Sequence, residues 1–241
     1  MNKITSLTNP YIKKLFLLRD RKAILKHQLF LIEGENIIKE AYKCGLLTEL
    51  LIINEKSGIN YDVKKTFVTK EIINKLSMNK TNVGIIGICV FQPNTYDVNS
   101  FDKIVILENV NNPNNLGAIA RSALAFGFDA IFLMGESVFQ YNEKTIRSSQ
   151  GAVFTMPIIE ISNLKKLDKF TLFYFILNET AKNYQEIELN KKIGLVFGNE
   201  AKGLSSTLIK NNFNNSVYIP IKNIDSLNLA IAASIAMVKF N

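Results

Sequence analysis

The sequence contains only two cysteines and one histidine among its 241 residues. Cys44 and Cys89 are far apart, and neither has a cysteine or histidine at the spacing of metal ligands. We therefore expect no structural zinc, no other bound metal and no disulfide, and we interpret both cysteines as buried, reduced thiols.

Long hydrophobic runs are also missing. No uninterrupted apolar segment reaches the roughly 18 residues that a membrane span requires, and the amino terminus lacks the hydrophobic segment of a secretory signal. Apolar residues nevertheless make up 47% of the chain, which is enough for a packed core in one large domain or two small ones. These features predict a globular, cytoplasmic enzyme.

Acidic residues are scarce in the amino-terminal part. The net charge is +8, and residues 1–98 hold 15 Lys or Arg against 9 Asp or Glu, compared with 14 against 12 in residues 99–241. Basic residues are densest before residue 27, where only Asp20 opposes them: Lys3, Lys13, Lys14, Arg19, Arg21, Lys22 and Lys26. This segment either contacts phosphates or is a solvated face of a helix.

The hydrophobic pattern predicts an α/β fold in two parts. A basic amphipathic helix begins at Asn9 and Pro10. It is followed by strand 29–32, helix 35–43, strand 50–53, strand 66–69, helix 70–76 and strand 84–91. The polar segment Gln92–Asp102 has the composition of a linker, so we predict domains at residues 1–95 and 96–241.

Strands and helices alternate again beyond the linker. The pattern predicts strands at 103–108, 129–133, 155–160, 171–177, 193–197 and 217–221, and helices at 116–126, 142–148, after Gly203 and at 226–239. Apolar, β-branched strands that alternate with helices indicate a mainly parallel sheet covered by helices on both faces.

Three loops in this second part each follow an apolar strand and are rich in Asn, Gly and Ser. The first, after strand 103–108, precedes a helix that carries Arg121. In the second, Gly198 would let a ligand approach the backbone, and Glu200 and Lys202 add charges. In the third, Asp225 or Ser226 could cap the final helix. Each loop alone is better explained as an ordinary turn.

Together and in this order, the three loops resemble the motifs of the SpoU (TrmH-type) RNA ribose methyltransferases, members of the SPOUT superfamily. The motifs are Asn109-x5-Asn-Leu-Gly-x3-Arg121, Phe197-Gly-Asn-Glu-x-Lys-Gly-Leu-Ser205 and Ile219-Pro-x5-Ser-Leu-Asn-x-Ala-x-Ala232, and Arg147–Ala152 fits the segment between the first two. Leu7–Leu15 and Phe30–Gly34 resemble the substrate-binding domain of family members that modify ribosomal RNA.

The resemblance implies a carboxyl-terminal domain with a deep trefoil knot and a smaller, ribosomal-protein-L30e-like α/β domain before it. It implies S-adenosylmethionine as cofactor, a homodimer with the active site near its interface, and RNA as partner, with ribosomal RNA favoured over transfer RNA. The activity implied is methylation of a ribose 2′-hydroxyl.

The resemblance also assigns residues. Gly198, Ile219 and Leu227, with the flanking Asn199 and Leu229, fall on positions that contact the cofactor. The positions around the reacting ribose are occupied by Asn115, Arg121, Glu200, Ser226 and Asn228.

A ribose hydroxyl is a poor nucleophile until a proton acceptor or a positive field assists it. The only histidine, His27, lies in the basic amino-terminal segment, so we interpret it as a surface or RNA-contacting residue. The resemblance implies that Arg121 is either the base or a phosphate-assisted activator. Because a guanidinium gives up its proton reluctantly, we expect Arg121 to hold a substrate phosphate and to stabilise the developing alkoxide, and its role as the base stays open. Glu200 would orient Arg121 or the ribose, while Ser226 and Asn228 supply hydrogen bonds.

The sequence departs from the family pattern at five positions: Asn112, Asn114, Ala201, Asn223 and Asp225. The family commonly has glycine where Asn114, Ala201 and Asn223 stand. Because Asn tolerates a left-handed backbone, the two Asn replacements are compatible with the loops, whereas Ala201 requires a less permissive backbone.

Two other classes of protein are alternatives to the enzyme. A catalytically inactive RNA-binding or ribosome-assembly factor would keep the fold, but the five residues expected around the ribose are intact. A nucleotide-dependent oxidoreductase would need a G-x-G-x-x-G motif after a strand, and the sequence contains none.

Overall fold

The computed structural model describes residues 3–54, 61–78, 84–91, 95–188 and 191–241. They form a five-stranded sheet from strands before residue 91 and a seven-stranded sheet from strands after residue 102. Within the predicted linker, residues 92–94 lie outside the described residues, and Val98–Ser100 forms a short 3-10 turn. The division into domains at residue 95 stays a prediction.

The first sheet is mixed, with strand order β1-β4-β3-β5-β2 and β5 antiparallel to both of its neighbours. Its elements are β1 Lys3–Ile4, α1 Pro10–Leu17, α2 Arg21–His27, β2 Leu29–Glu33, α3 Glu35–Lys43, β3 Leu47–Ile52, β4 Lys64–Val68, α4 Lys70–Leu76 and β5 Ile85–Val90. The predicted small α/β unit is thereby confirmed.

Helix α1 begins as its sequence predicts. The Asn9 side chain accepts a hydrogen bond from the Tyr11 amide at 2.9 Å, and the buried Ile12 and Leu15 face the core. The prediction missed helix α2, which Asp20 caps by accepting from the Lys22 amide at 2.7 Å. Only one side chain of α2, Ile24, is buried, so its apolar periodicity was too weak to detect.

The second sheet is parallel throughout, in the order β10-β12-β9-β11-β6-β7-β8. Its elements are β6 Lys103–Glu108, α5 Pro113–Ala125, β7 Ala130–Met134, α6 Glu143–Ser149, β8 Ile158–Ile161, β9 Thr171–Phe175, β10 Lys182–Asn183, β11 Ile193–Phe197, α7 Ser206–Asn212, β12 Ser216–Tyr218 and α8 Leu229–Lys239. Separate apolar clusters cover its two faces, which confirms the predicted architecture.

Helix α5 begins earlier than predicted. Residues Pro113 to Asn115, which precede the predicted helix at 116–126 and were assigned to a polar loop, belong to the first turn of the helix. The Asn112 side chain caps it by accepting from the Asn114 amide at 2.9 Å, and Pro113 occupies the first helical position, where no amide hydrogen is needed. Asn115 therefore lies on a helix and not in a loop.

Three further predictions were wrong. The last helix begins at Leu229 and not at residue 226, and Asn228 caps it in place of Asp225 or Ser226. The preceding strand ends at Tyr218, so Ile219 lies in a loop. Cys89 is buried, and burial raises the pKa of its thiol, but Cys44 is an exposed free thiol just after α3.

The two sheets are joined by direct side-chain contacts. The Arg21 guanidinium donates to both carboxylate oxygens of Glu160 at 2.7 and 2.8 Å and lies 5.0 Å from the Phe139 ring centroid. Phe30 stacks on Tyr141 with ring centroids 4.5 Å apart. No helix among the described residues is both long and apolar enough to cross a membrane.

Candidate active site

The three motif loops meet at one edge of the parallel sheet. They follow β6, β11 and β12, and parallel strands present their carboxyl ends at the same edge. Strands β6 and β11 are hydrogen-bonded neighbours, which brings the first two loops into direct contact.

A cleft opens between the second and third loops, and we call it the cofactor cleft because the residues predicted to contact the cofactor line it. All five residues predicted to contact the cofactor line it: Gly198, Asn199, Ile219, Leu227 and Leu229. Glu200 and Ser226 lie on its rim, and Ile221, Leu204 and Phe175–Leu177 complete its largely apolar wall. The lining thus combines apolar side chains with exposed backbone, which suits a flat heterocycle.

Gly198 has a structural role in addition to the predicted one. A Cβ atom at this position would lie 2.1 Å from the carbonyl carbon of Gly203 and 2.2 Å from the Leu204 amide nitrogen. The glycine therefore allows the loop to fold back on itself, and the approach of a ligand to its backbone stays a prediction. Asn199 and Gly203 close this fold with two backbone hydrogen bonds, of 3.0 and 2.8 Å.

Side chains of all three motifs form one hydrogen-bonded chain, which we call the amide chain. The Asn115 Nδ2 donates to Glu200 Oε1 at 2.9 Å, and Asn228 Nδ2 donates to Asn115 Oδ1 at 3.0 Å. Asn115 is only 4% exposed, so both ends of its amide are committed inside the protein. Glu200 and Asn228 are exposed and can reach a ligand.

Arg121 lies apart from the amide chain. It is exposed on α5, and within the described ranges its guanidinium makes no hydrogen bond or ion pair. Glu200 bonds to Asn115 and to the Asn112 amide, at 3.3 Å, and not to Arg121. The structure thus brings together four of the five residues predicted around the ribose at or beside the cofactor cleft and leaves Arg121 on the adjoining surface.

The departures from the family pattern are compatible with this geometry. Asn223 has a left-handed backbone with φ of 65°, as the glycine commonly found there predicts. Asn114 lies in the first turn of α5, where no left-handed conformation is needed. Ala201 does not have a positive φ, so its backbone is not strained.

Two contributors to the site were not predicted. The Asn112 backbone amide supports Glu200, and the Asn109 carbonyl accepts from Asn199 Nδ2 at 2.8 Å. The Asn112-Pro113 pair is a helix-start signal that could have revealed the first contact. The second depends on the left-handed backbone of Asn109, with φ of 54°, which sequence patterns do not reveal.

The model of the SpoU rRNA Methylase family matches residues 102–238, more than half of the chain. The chain belongs to this family. This confirms the resemblance inferred from the three motifs. Residues 9–87 of this SpoU family member match a second model, the MRM3-like substrate binding domain.

Relatives of known activity match this SpoU family member along nearly its whole length. The 23S rRNA (guanosine(2553)-2'-O)-methyltransferase RlmP of Bacillus subtilis is 28% identical over 98% of this chain and 97% of its own. The crystal structure of an S-adenosylmethionine-bound rRNA methyltransferase from Sinorhizobium meliloti superimposes with a TM-score of 0.84 at 25% identity, covering 99% and 96% of the two chains.

An RNA 2'-O ribose methyltransferase of known structure is also similar, with a TM-score of 0.81 at 28% identity over 99% of this chain and 97% of that one. These structures share the α/β fold with its large parallel sheet. The trefoil knot stays a prediction.

Proposed function

We propose that this chain transfers a methyl group from S-adenosylmethionine to a ribose 2′-hydroxyl of structured RNA, with ribosomal RNA as the RNA class. The observation that carries the proposal is the amide chain, because it joins one side chain from each motif at the rim of the cofactor cleft. The rRNA 2'-O-methyltransferase relative, similar over nearly its full length, supports the choice of hydroxyl and RNA.

The cofactor cleft fits S-adenosylmethionine by the chemistry of its lining. Ile219, Leu227 and Leu229 provide apolar surface for the adenine, and the backbone around Gly198 and Asn199 offers polar groups. The bound cofactor supplies an electrophilic methyl group.

The amide chain would orient the ribose. Glu200 is held from the inside by Asn115 and the Asn112 amide, so its carboxylate keeps one direction at the rim of the cleft. Asn228 is held by Asn115 and by the amides of Ala230 and Ile231, to which its Oδ1 is bonded. Such preorganisation keeps a reacting hydroxyl in near-attack geometry without reorganisation cost during the reaction.

Arg121 would act on the substrate from the exposed face of α5. A free guanidinium can bind a phosphate of the RNA and stabilise negative charge that develops on the ribose oxygen. Because Arg121 has no partner in the described part of the chain, it can form these contacts without first breaking an ion pair.

We further propose that a second copy of the chain covers this face. Leu124 on α5 and Ile231 and Val238 on α8 are 43%, 52% and 57% exposed, and the two helices pack side by side through a Ser122–Ser234 hydrogen bond of 2.8 Å. An exposed apolar face beside the site fits a homodimer interface. Light scattering of the purified protein tests it, and a monomer at micromolar concentration would refute it.

The amino-terminal basic segment would bind RNA phosphates. Not all of its basic side chains are available, because some are already paired within the chain. Arg21 is paired with Glu160, and Arg19 donates to the Lys75 carbonyl oxygen at 2.7 Å. Lys13 and Lys22 are exposed, Lys14 is half-buried, and none of the three forms an ion pair in the described ranges. These three lysines are the proposed phosphate contacts.

The deciding experiment incubates the purified protein with S-adenosylmethionine carrying a labelled methyl group and with ribosomal RNA from cells that lack the protein. We expect label in the RNA at a ribose that then resists alkaline cleavage. RNA binding with neither cofactor binding nor label would leave the inactive RNA-binding factor, which no present observation favours.

A further inference from the structure

A second cleft, separate from the cofactor cleft, opens at the same edge of the parallel sheet. Glu108 and Met134, paired residues at the ends of β6 and β7, and Tyr174 of β9 line it. Its walls are the segments 162–165 and 205–212. We call it the Glu108 cleft.

Glu108 is a buried carboxylate with one oxygen uncommitted. The side chain is only 7% exposed, and Oε2 accepts from the Ser205 amide at 2.7 Å. Within the described ranges Oε1 accepts no hydrogen bond, and every side-chain oxygen there that is fully buried has a partner. Oε1 is therefore open to solvent, and Glu108 lines this cleft.

Tyr174 adds a second polar group of the same kind. The residue is 3% exposed, burial raises its pKa, and its hydroxyl has no hydrogen-bond partner among the described residues. Because the described residues include no fully buried side-chain oxygen without a partner, this hydroxyl is also reachable by solvent. A buried carboxylate and a buried tyrosine thus line one cleft. Its other lining residues include the apolar Met134, Leu164 and Leu208 and the polar Ser162, Asn163, Lys165, Ser205, Thr207 and Asn212.

This combination matches the chemistry of a nucleobase. Apolar surface accepts the faces of a flat ring, a carboxylate accepts hydrogen bonds from ring N–H and amino groups, and a tyrosine hydroxyl donates to a ring carbonyl. Guanine carries N1–H and its amino group side by side on one edge, next to the O6 acceptor.

The position of the cleft connects it to the reaction. The segment from Leu204 to Ile209 separates the two clefts: Leu204 and Ile209 line the cofactor cleft, whereas Ser205 and Leu208 line the Glu108 cleft. One RNA strand at this edge of the sheet can therefore present a ribose to one cleft and a base to the other. Lys165, which lines the Glu108 cleft, offers a positive charge to the phosphate backbone of that RNA strand.

We propose that the Glu108 cleft binds a guanine base of the RNA substrate, with Glu108 accepting from its N–H edge and Tyr174 donating to O6. The inference rests on the proposed function for its RNA ligand. The proposal assigns base selectivity to Glu108 and Tyr174, which are not among the site residues predicted from the three motifs.

The test compares guanosine monophosphate with inosine monophosphate, which lacks only the amino group, by NMR titration of the full chain up to about 10 mM nucleotide. We expect the wild type to bind the guanine nucleotide roughly tenfold more tightly, as one hydrogen bond to a charged group implies. In Glu108→Gln, which keeps an acceptor for the Ser205 amide, the preference should disappear. Equal binding by the wild type, absence of binding, or a preference that survives the substitution would overturn the proposal.

The same samples are titrated with S-adenosylmethionine. Wild-type protein that fails to bind the cofactor would refute the proposed function, whatever the nucleotide result. Cofactor binding without guanine preference would refute only the base pocket. If Glu108→Gln does not fold, Tyr174→Phe decides: weaker guanine binding supports the pocket, and unchanged binding overturns it.

Discussion

The amino-terminal end of α5, at Asn115, and the end nearer its carboxyl terminus, at Arg121, differ in how their functional side chains are held. Asn115, in the first turn, is buried and bonded at both ends of its amide, whereas Arg121, just over a turn and a half further along, is exposed and unpartnered in the described part of the chain. The first end is organised before any ligand arrives. The second is organised only by what binds to it, so the two ends should respond differently to substitution.

The largest effect on methyl transfer is expected from substitution of Arg121. Arg121→Ala should lower the rate of methyl transfer by at least about 100-fold, because it removes the positive charge proposed to stabilise the ribose oxygen. Cofactor affinity and the melting temperature should stay near the wild-type values, since the side chain makes no intramolecular bond in the described ranges. Single-turnover methylation, calorimetric titration and thermal melting measure the three quantities.

Arg147→Ala is the matched control for Arg121→Ala. Arg147 is an exposed arginine of the neighbouring helix α6, where it pairs with Glu143. Its removal should leave the rate close to that of the wild type. Equal losses in the two variants would show that general RNA attraction, and not a site-specific role, explains Arg121.

At the buried end, Asn115→Ala should reduce both rate and stability. The substitution leaves Glu200 and Asn228 without their inner partner, and we expect a rate loss of about 10-fold to 100-fold with a destabilisation of about 1–3 kcal/mol. Methylation kinetics and urea unfolding report the two effects. Asn114→Ala, an exposed neighbour, is the control, and an Asn115→Ala variant as active as that control would remove the amide chain from the mechanism.

A smaller effect, on cofactor binding, is expected from substitution in the second motif loop, which lines the cofactor cleft. Gly198→Ala forces the backbone at Gly203 and Leu204 to move, so we expect roughly tenfold weaker binding of S-adenosylmethionine. Ala201→Gly changes the same loop without a clash and should bind the cofactor like the wild type. Unchanged affinity in both variants would mean that the fold of this loop does not shape the cofactor cleft.

The smallest effect concerns the basic segment. Replacing Lys13, Lys14 and Lys22 by Gln should weaken RNA binding and reduce the slope of its salt dependence by up to about three counterions. Arg21→Gln should change the slope little, because Arg21 is already paired with Glu160. Filter binding across a salt series measures the slope for both variants. Identical slopes in all variants would mean that the lysines are a solvated face of a helix and do not contact RNA.

Much of the fold could be predicted from local patterns. The bounds of α3, α4, β6 and β11 agree with the predictions residue for residue, because strong periodicity and clear start or stop signals mark them. The start of α5 was missed because a run of Asn and Pro has the composition of a loop, although it also caps a helix.

The site was predictable as a set of residues but not as a geometry. The motifs identified Asn115, Glu200 and Asn228, yet the bond from Asn115 to Glu200 joins residues 85 positions apart, and no local pattern encodes that pairing. The Glu108 cleft was missed for a similar reason. Glu108 is the last residue of an apolar strand, and only the fold, which brings the Ser205 amide to its carboxylate from 97 positions away, shows that it is buried.

Asn228 carries a consequence for selection. One side chain both caps α8 through its oxygen and holds Asn115 through its nitrogen. Replacing it by alanine would cost about 1 kcal/mol of helix stability and would also release the amide chain. Selection for a folded protein alone would therefore preserve Asn228, even in a lineage that no longer needed the reaction. The presence of Asn228 is thus weaker evidence for catalysis than the presence of Arg121.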